Sequence, residues 1–130
     1  MTDATGGILL TDRLVEIAER DSERELVIDP LYGRLTYGTV AEQVERLAAC
    51  LRHLDIGPGD RVILQLPNWA PFLVFHLALT KIGAVTAAIP IVYREHELRN
   101  VLRLTGANTL VLPSAYREHD YAAMAESVRE

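Results

Sequence analysis

Four histidines, one cysteine, one lysine and one glycine-rich tripeptide are the residues from which this chain could build chemistry. To cradle a pyrophosphate, Gly57-Pro58-Gly59 would have to follow a strand and open a helix, so that helix amides faced the ligand. It instead precedes the apolar run at Val62 and has no third glycine in place, so it reads as a turn. No G-x-x-x-x-G-K-S/T phosphate loop is present, and Lys81, the only lysine, falls inside a helical pattern. Ser22, Ser114 and Ser127 belong to no G-x-S-x-G elbow. His53, His76, His96 and His119 lack metal-ligand spacing; His76 reads as a hydrogen-bonded core histidine and His96 as part of a solvated first turn. Cys50, between Leu47 and Leu51, reads as a buried inert thiol, and alone it permits no internal disulfide. The acidic residues are scattered, with no pair spaced for acid–base exchange.

The elements that must position any site come next. Hydrophobic residues at 49% and charged residues at 24% describe a folded domain, and 130 residues suffice for one sizeable core. The net charge of -5, with no basic cluster, argues against a nucleic-acid partner. The most apolar helix, 69–82, is too short to span a bilayer and carries His76, Thr80 and Lys81. Met1-Thr2-Asp3-Ala4 has no basic, apolar signal character, so a cytoplasmic location is expected.

Residues 1–10 read as a loose leader, and Thr11 as the cap of a helix over 12–20. Leu26–Asp29 and Leu35–Tyr37, separated by Pro30 and Gly33, predict a hairpin. Thr39-Val40-Ala41-Glu42 has capping-box spacing ahead of a helix whose stripe is Val40, Val44, Leu47, Ala48 and Leu51, with Glu42 and Arg46 paired on its wet side. From Arg61 the rhythm is strand then helix, repeated: strands 62–66, 85–89 and 109–112, helices 69–82, 95–105 and 121–129. Asn68 is the expected cap of helix 69–82, whose apolar character all round demands cover on both sides. Gly83 and Gly106 stand at the helix stops. The expected fold class is α/β with a parallel sheet: three βα units over 61–130, flanked by the helices and hairpin of 1–60.

Three segments carry a resemblance. Leu35-Thr36-Tyr37-Gly38-Thr39-Val40, then Gly59-Asp60-Arg61-Val62 with Leu66-Pro67-Asn68, then Leu79-Thr80-Lys81-Ile82-Gly83-Ala84-Val85 closing at Ile89-Pro90, occur in one order along the chain. Together they resemble the opening of the acyl-adenylate-forming, AMP-dependent ligases, over about residues 11–130. The region around Tyr93-Arg94-Glu95-His96-Glu97-Leu98 looks closest to carboxylate–CoA ligases and 2,3-dihydroxybenzoate-type adenylating enzymes.

The resemblance implies a partial N-terminal α/β subdomain of a larger enzyme, which would also have a second α/β subdomain, a small barrel and a mobile C-terminal domain. It implies ATP with Mg²⁺ and a thiol, often CoA, acting on a carboxylic acid substrate. The family's phosphate loop, Thr-Glu pair, ribose-binding aspartate and late lysine all follow this stretch, so no catalytic residue carries over. Tyr93, Arg94 and Arg117 match positions that approach the CoA nucleotide in some relatives. The implied partner is the remainder of the ligase, on the same or a separate chain, without which this chain would be inactive. In that case helix 69–82 would lack a cover on one side and expose apolar surface. The alternative reading is a stand-alone α/β interaction or nucleotide-binding module without catalysis.

Overall fold

A computed structural model of the chain describes residues 8–129. Of the leader expected over residues 1–10, residues 1–7 lie outside the described residues, and Leu10 already belongs to the first helix. In chain order the elements are α1 (Leu10–Arg20), β1 (Glu25–Asp29), β2 (Gly33–Thr36), α2 (Tyr37–His53), β3 (Arg61–Leu64) and α3 (Ala70–Lys81). Then follow β4 (Val85–Ala88), α4 (Glu95–Thr105), β5 (Thr109–Val111), β6 (Ala115–Tyr116), β7 (His119–Asp120) and α5 (Tyr121–Ser127).

The sheet at the centre has the order β4-β3-β5, and both pairings are parallel. Arg61 pairs with Val85 on one side of β3, and Val62 with Thr109 on the other. The chain therefore steps outward from β3 to β4 and returns across β3 to β5. With right-handed crossovers, such a reversal sends consecutive helices to opposite faces. The packing agrees: Val62 joins the core formed with α1, α2 and α3, whereas its neighbour Ile63 joins a second core with Leu98 of α4 and Tyr121 and Met124 of α5. Successive strand residues point to opposite faces, so a strand covered on both must be apolar throughout. Val62, Ile63 and Leu64 are all fully buried, each contributing about 2 kcal/mol of burial.

Several starts and caps differ from the sequence reading. Helix α2 begins at Tyr37 because Tyr37 N–H donates to Arg24 O and Gly38 N–H to Ser22 O, both at 2.9 Å. Thr36, not Thr39, is therefore its cap: the Thr36 hydroxyl accepts from Thr39 N–H at 3.1 Å. Thr11 lies inside α1, buried beside Leu14, and Leu9 precedes the helix without a side-chain cap. Asn68 is exposed and caps nothing at α3. That role belongs to Asp29, 41 residues earlier, whose carboxylate accepts from Ala70 N–H at 2.7 Å. Asp29 also takes the Leu31 and Tyr32 amides, at 2.7 and 3.1 Å, and so fastens the β1–β2 turn to the first turn of α3. Burial alone would raise its pKa, but the three N–H donors outweigh that and hold it below the usual carboxylate range.

Helix α3 has no exposed residue; it is packed by α1, α2, β1, β3 and β4. The expected bare side is absent there, and the large exposed apolar side chains are instead Ile8, Leu10, Ile28, Leu31, Tyr32, Leu54, Val85, Val92 and Leu104. His76 on α3 is half-buried and stacks on Phe72, but its Nδ1 is buried without a partner, so it is not the hydrogen-bonded histidine expected. Cys50 is exposed, because the buried stripe of α2 runs through Val40, Val44, Ala48 and Leu51 and turns position 50 away. The glycine stop holds: Gly83 has φ +78°, and an added Cβ would meet Pro58 at 3.3 Å. The β6–β7 hairpin between β5 and α5 was not anticipated.

Candidate functional site

In an open parallel sheet, ligands gather beyond the carboxyl ends of the strands where the strand order reverses. Here that edge is formed by residues 65–69 after β3, 89–94 after β4 and 112–120 after β5. Gln65 sits at its centre and is 1% exposed. Its backbone N–H donates to Val111 O at 2.8 Å, extending the β3–β5 ladder. Its side-chain Nε2 turns the other way and donates to Pro90 O at 3.2 Å and Tyr93 O at 2.9 Å. One residue thereby ties all three strand ends together.

Tyr93, Arg94 and Arg117 all lie on this edge. Tyr93 is half-buried in the loop, and its amide donates to Pro90 O at 3.1 Å. Arg94 is exposed, yet its Nη1 donates to Ile91 O at 3.0 Å, Tyr93 O at 3.1 Å and the Tyr121 hydroxyl at 3.1 Å. Its guanidinium also lies 5.5 Å from the Tyr121 ring centroid. One of this arginine's three side-chain nitrogens, Nη1, is therefore committed to the protein. Arg117 differs: it is exposed at the turn of the β6–β7 hairpin with φ +45°, and its guanidinium lies 5.2 Å from the Tyr116 ring centroid. Tyr116 meets Trp69 edge-on at 5.3 Å, and Trp69 meets Tyr32 at 6.3 Å, so an aromatic row runs from the hairpin to the β1–β2 turn.

Charge on the edge is mixed. The Arg94 N–H and its own N–H hold Glu97 below the usual carboxylate range, and the Arg94 donor lies at 3.0 Å. The Arg99 side chain, followed by Ser127, does the same for Glu95. A cavity of about 530 Å³ opens between Arg94, Glu95, His119, Asp120 and Met124. No His/Cys/Asp/Glu group able to hold a metal occurs among the described residues. Among the described residues the arrangement leaves the Arg117 guanidinium exposed on the Tyr116 ring and brings together no nucleophile and base. Gln65 and Tyr121 were missed as site residues. Gln65 had a signal, being the one polar residue in the run Val62–Leu66; Tyr121 had none, because it reads as one more apolar position of a helix.

The family profile for AMP-binding enzymes matches residues 14–130. The chain belongs to the AMP-binding enzyme family. It is 35% identical over 126 residues to the salicyl-AMP ligase / salicyl-S-ArCP synthetase of Mycobacterium tuberculosis, covering 94% of this chain and 22% of that protein. It is 34% identical over 97 residues to the medium-chain fatty-acid–CoA ligase of Escherichia coli, covering 75% of this chain and 17% of that protein. The chain thus spans about a fifth of the length of the relatives it matches. Among solved structures, the Klebsiella oxytoca NpsA N-terminal subdomain in complex with anthranilyl-AMSN superposes with a TM-score of 0.76 at 31% identity, over 81% of this chain and 27% of that one. The resemblance drawn from the three sequence segments is therefore correct, and this AMP-binding family member has the α/β fold of an adenylation-type N-terminal subdomain. No helix among the described residues is long and apolar enough to cross a membrane.

The turn at Gly57–Gly59 precedes β3 at its amino end, away from the strand ends, so it does not fit a nucleotide phosphate. Among the described residues no carboxylate set fits Mg²⁺. The Arg117 side chain has no hydrogen bond to the described residues, whereas Arg94 is held through Nη1.

Proposed function

We propose that this chain is the front part of an ATP-dependent ligase that activates a carboxylic acid and passes it to a thiol, and that it is inactive alone. In such a reaction the carboxylate oxygen bonds to the α-phosphorus of ATP as pyrophosphate leaves; a thiolate sulfur then bonds to the acyl carbon and AMP departs with the carboxyl-derived oxygen. The observation that carries this reading is the family match over residues 14–130 in a chain that covers only about a fifth of its relatives. Aryl acids are favoured as substrates by likeness to the salicyl-AMP ligase, and a fatty-acid–CoA ligase among the relatives supports a CoA acceptor.

On this reading residues 1–60 flank the three βα units of 61–130 within a partial N-terminal subdomain. The remainder of the ligase, on the same chain or another, supplies the ATP and Mg²⁺ site and the late lysine. Exposed Ile28, Leu31, Val85 and Leu104 are available for it to cover. Arg117 faces the nucleotide of the thiol substrate, with Tyr93 and Arg94 beside it. The location is cytoplasmic. Carboxylate-dependent exchange of pyrophosphate into ATP tests the proposal: none is expected from residues 1–130, and exchange is expected once the remaining part is supplied. Exchange by the 130-residue chain alone overturns it.

The absence of any exposed residue on α3 favours a second reading, a stand-alone α/β module. On that reading no partner restores exchange.

A further inference from the structure

Two buried polar side chains from different elements converge on one short loop. Gln65, after β3, and Tyr121, opening α5, are each 1% exposed, and both are spent on the carbonyls of residues 90–93. Gln65 Nε2 gives its hydrogens to Pro90 O and Tyr93 O, at 3.2 and 2.9 Å. The Tyr121 hydroxyl donates to the carbonyl between them, Ile91 O, at 2.6 Å, and accepts from Arg94 Nη1 at 3.1 Å. The reverse amide orientation at Gln65 would aim its oxygen at two carbonyl oxygens, so the orientation is fixed by the loop. Its Oε1 is buried with no protein partner. A Leu or Met would fill the same space without that cost, so packing does not explain a glutamine here.

We propose that Gln65 is a positioning residue which, together with Tyr121 from another element, clasps loop 90–93 and fixes where Tyr93 and Arg94 emerge from the strand ends. The clasp stands on these bonds alone; that the loop serves a thiol substrate rests on the function proposed above.

Amide exchange by NMR on the 130-residue chain tests the clasp without any activity. In Gln65→Met, and separately in Tyr121→Phe, the Tyr93 amide is expected to exchange roughly tenfold faster, the worth of about one net hydrogen bond, while Val62–Leu64 amides keep their protection. The double variant is expected to add little to either single one, because one released side already opens the loop. Unchanged Tyr93 exchange, or an equal loss of protection throughout β3, overturns the clasp. If Gln65→Met does not fold, Tyr121→Phe decides by the same readout.

In the complete ligase Gln65→Met is expected to raise the KM for the thiol several-fold while the KM for ATP is unchanged. Equal rises in both overturn the positioning role. A wild-type ligase with no thiol transfer removes the thiol reading and leaves the exchange result standing.

Discussion

The two cores on either side of β3 are built differently. On the Val62 face, α1, α2 and α3 close over an apolar cluster in which Val40, Ala48, Ala78 and Leu79 have no exposed surface. On the Ile63 face, α4 and α5 enclose a smaller cluster whose largest member, Tyr121, carries a hydroxyl bonded to loop 90–93. The first core is a scaffold, beside which Asp29 fastens the β1–β2 turn to α3. The second is continuous with the loops at the strand ends, so a change in it is felt at the candidate site. A sheet buried on both faces can thus assign stability to one face and loop geometry to the other.

Truncating the scaffold core has the largest expected effect. Leu79→Ala should cost about 3 kcal/mol through lost burial and a cavity, read as a fall in the denaturant midpoint. It should lower protection everywhere rather than at the loops. Acid tests the anchor. The Asp29 pKa is lowered on folding from its ordinary value of 3.8, so its stabilisation is fully present above that pH and is lost as pH falls through the lower folded value. Asp29→Asn should flatten the acid limb of stability against pH below about 4, and an unchanged limb would show that the anchor titrates as it does unfolded.

On the second face, Tyr121→Phe removes a donor and an acceptor but keeps the ring. A loss of about 1 kcal/mol is expected in thermal unfolding, against the larger loss for Leu79→Ala. A loss as large as that of Leu79→Ala would mean the two cores are not distinct in kind. Cys50→Ser should have the smallest effect, within about 0.5 kcal/mol, because the thiol faces solvent. A thiol reagent should label Cys50 at once in the native protein; slow labelling would place it in the scaffold core after all.

Both apolar periodicity and punctuation were legible in the sequence. The apolar run from Val62 announced a strand, and helix 95–105 was found with the bounds it has. The caps were not legible where partners came from afar. Asn68 has the right chemistry for an N-cap, but Asp29 reaches Ala70 first because the hairpin turn packs there. Thr39 has the right spacing for a capping box, but the carbonyls of Ser22 and Arg24 take the amides that set the helix start. The likeness of the three ordered segments to the ligase family was also legible, because those segments combine strand, turn and helix stop in a fixed order.

The sequence by itself therefore determined every main helix and strand but not the β6–β7 hairpin, together with their parallel class and the family, since each depends on local periodicity, on glycine and proline, or on a contiguous motif. Only the tertiary structure decided that the chain turns back at β3, and that Gln65 and Tyr121 meet on one loop. It alone decided that Arg94 is committed to the fold while Arg117 is not. Those outcomes depend on hydrogen-bond partners up to 41 residues apart, as at Asp29 and Ala70, and no pattern along the chain encodes which distant donor arrives first.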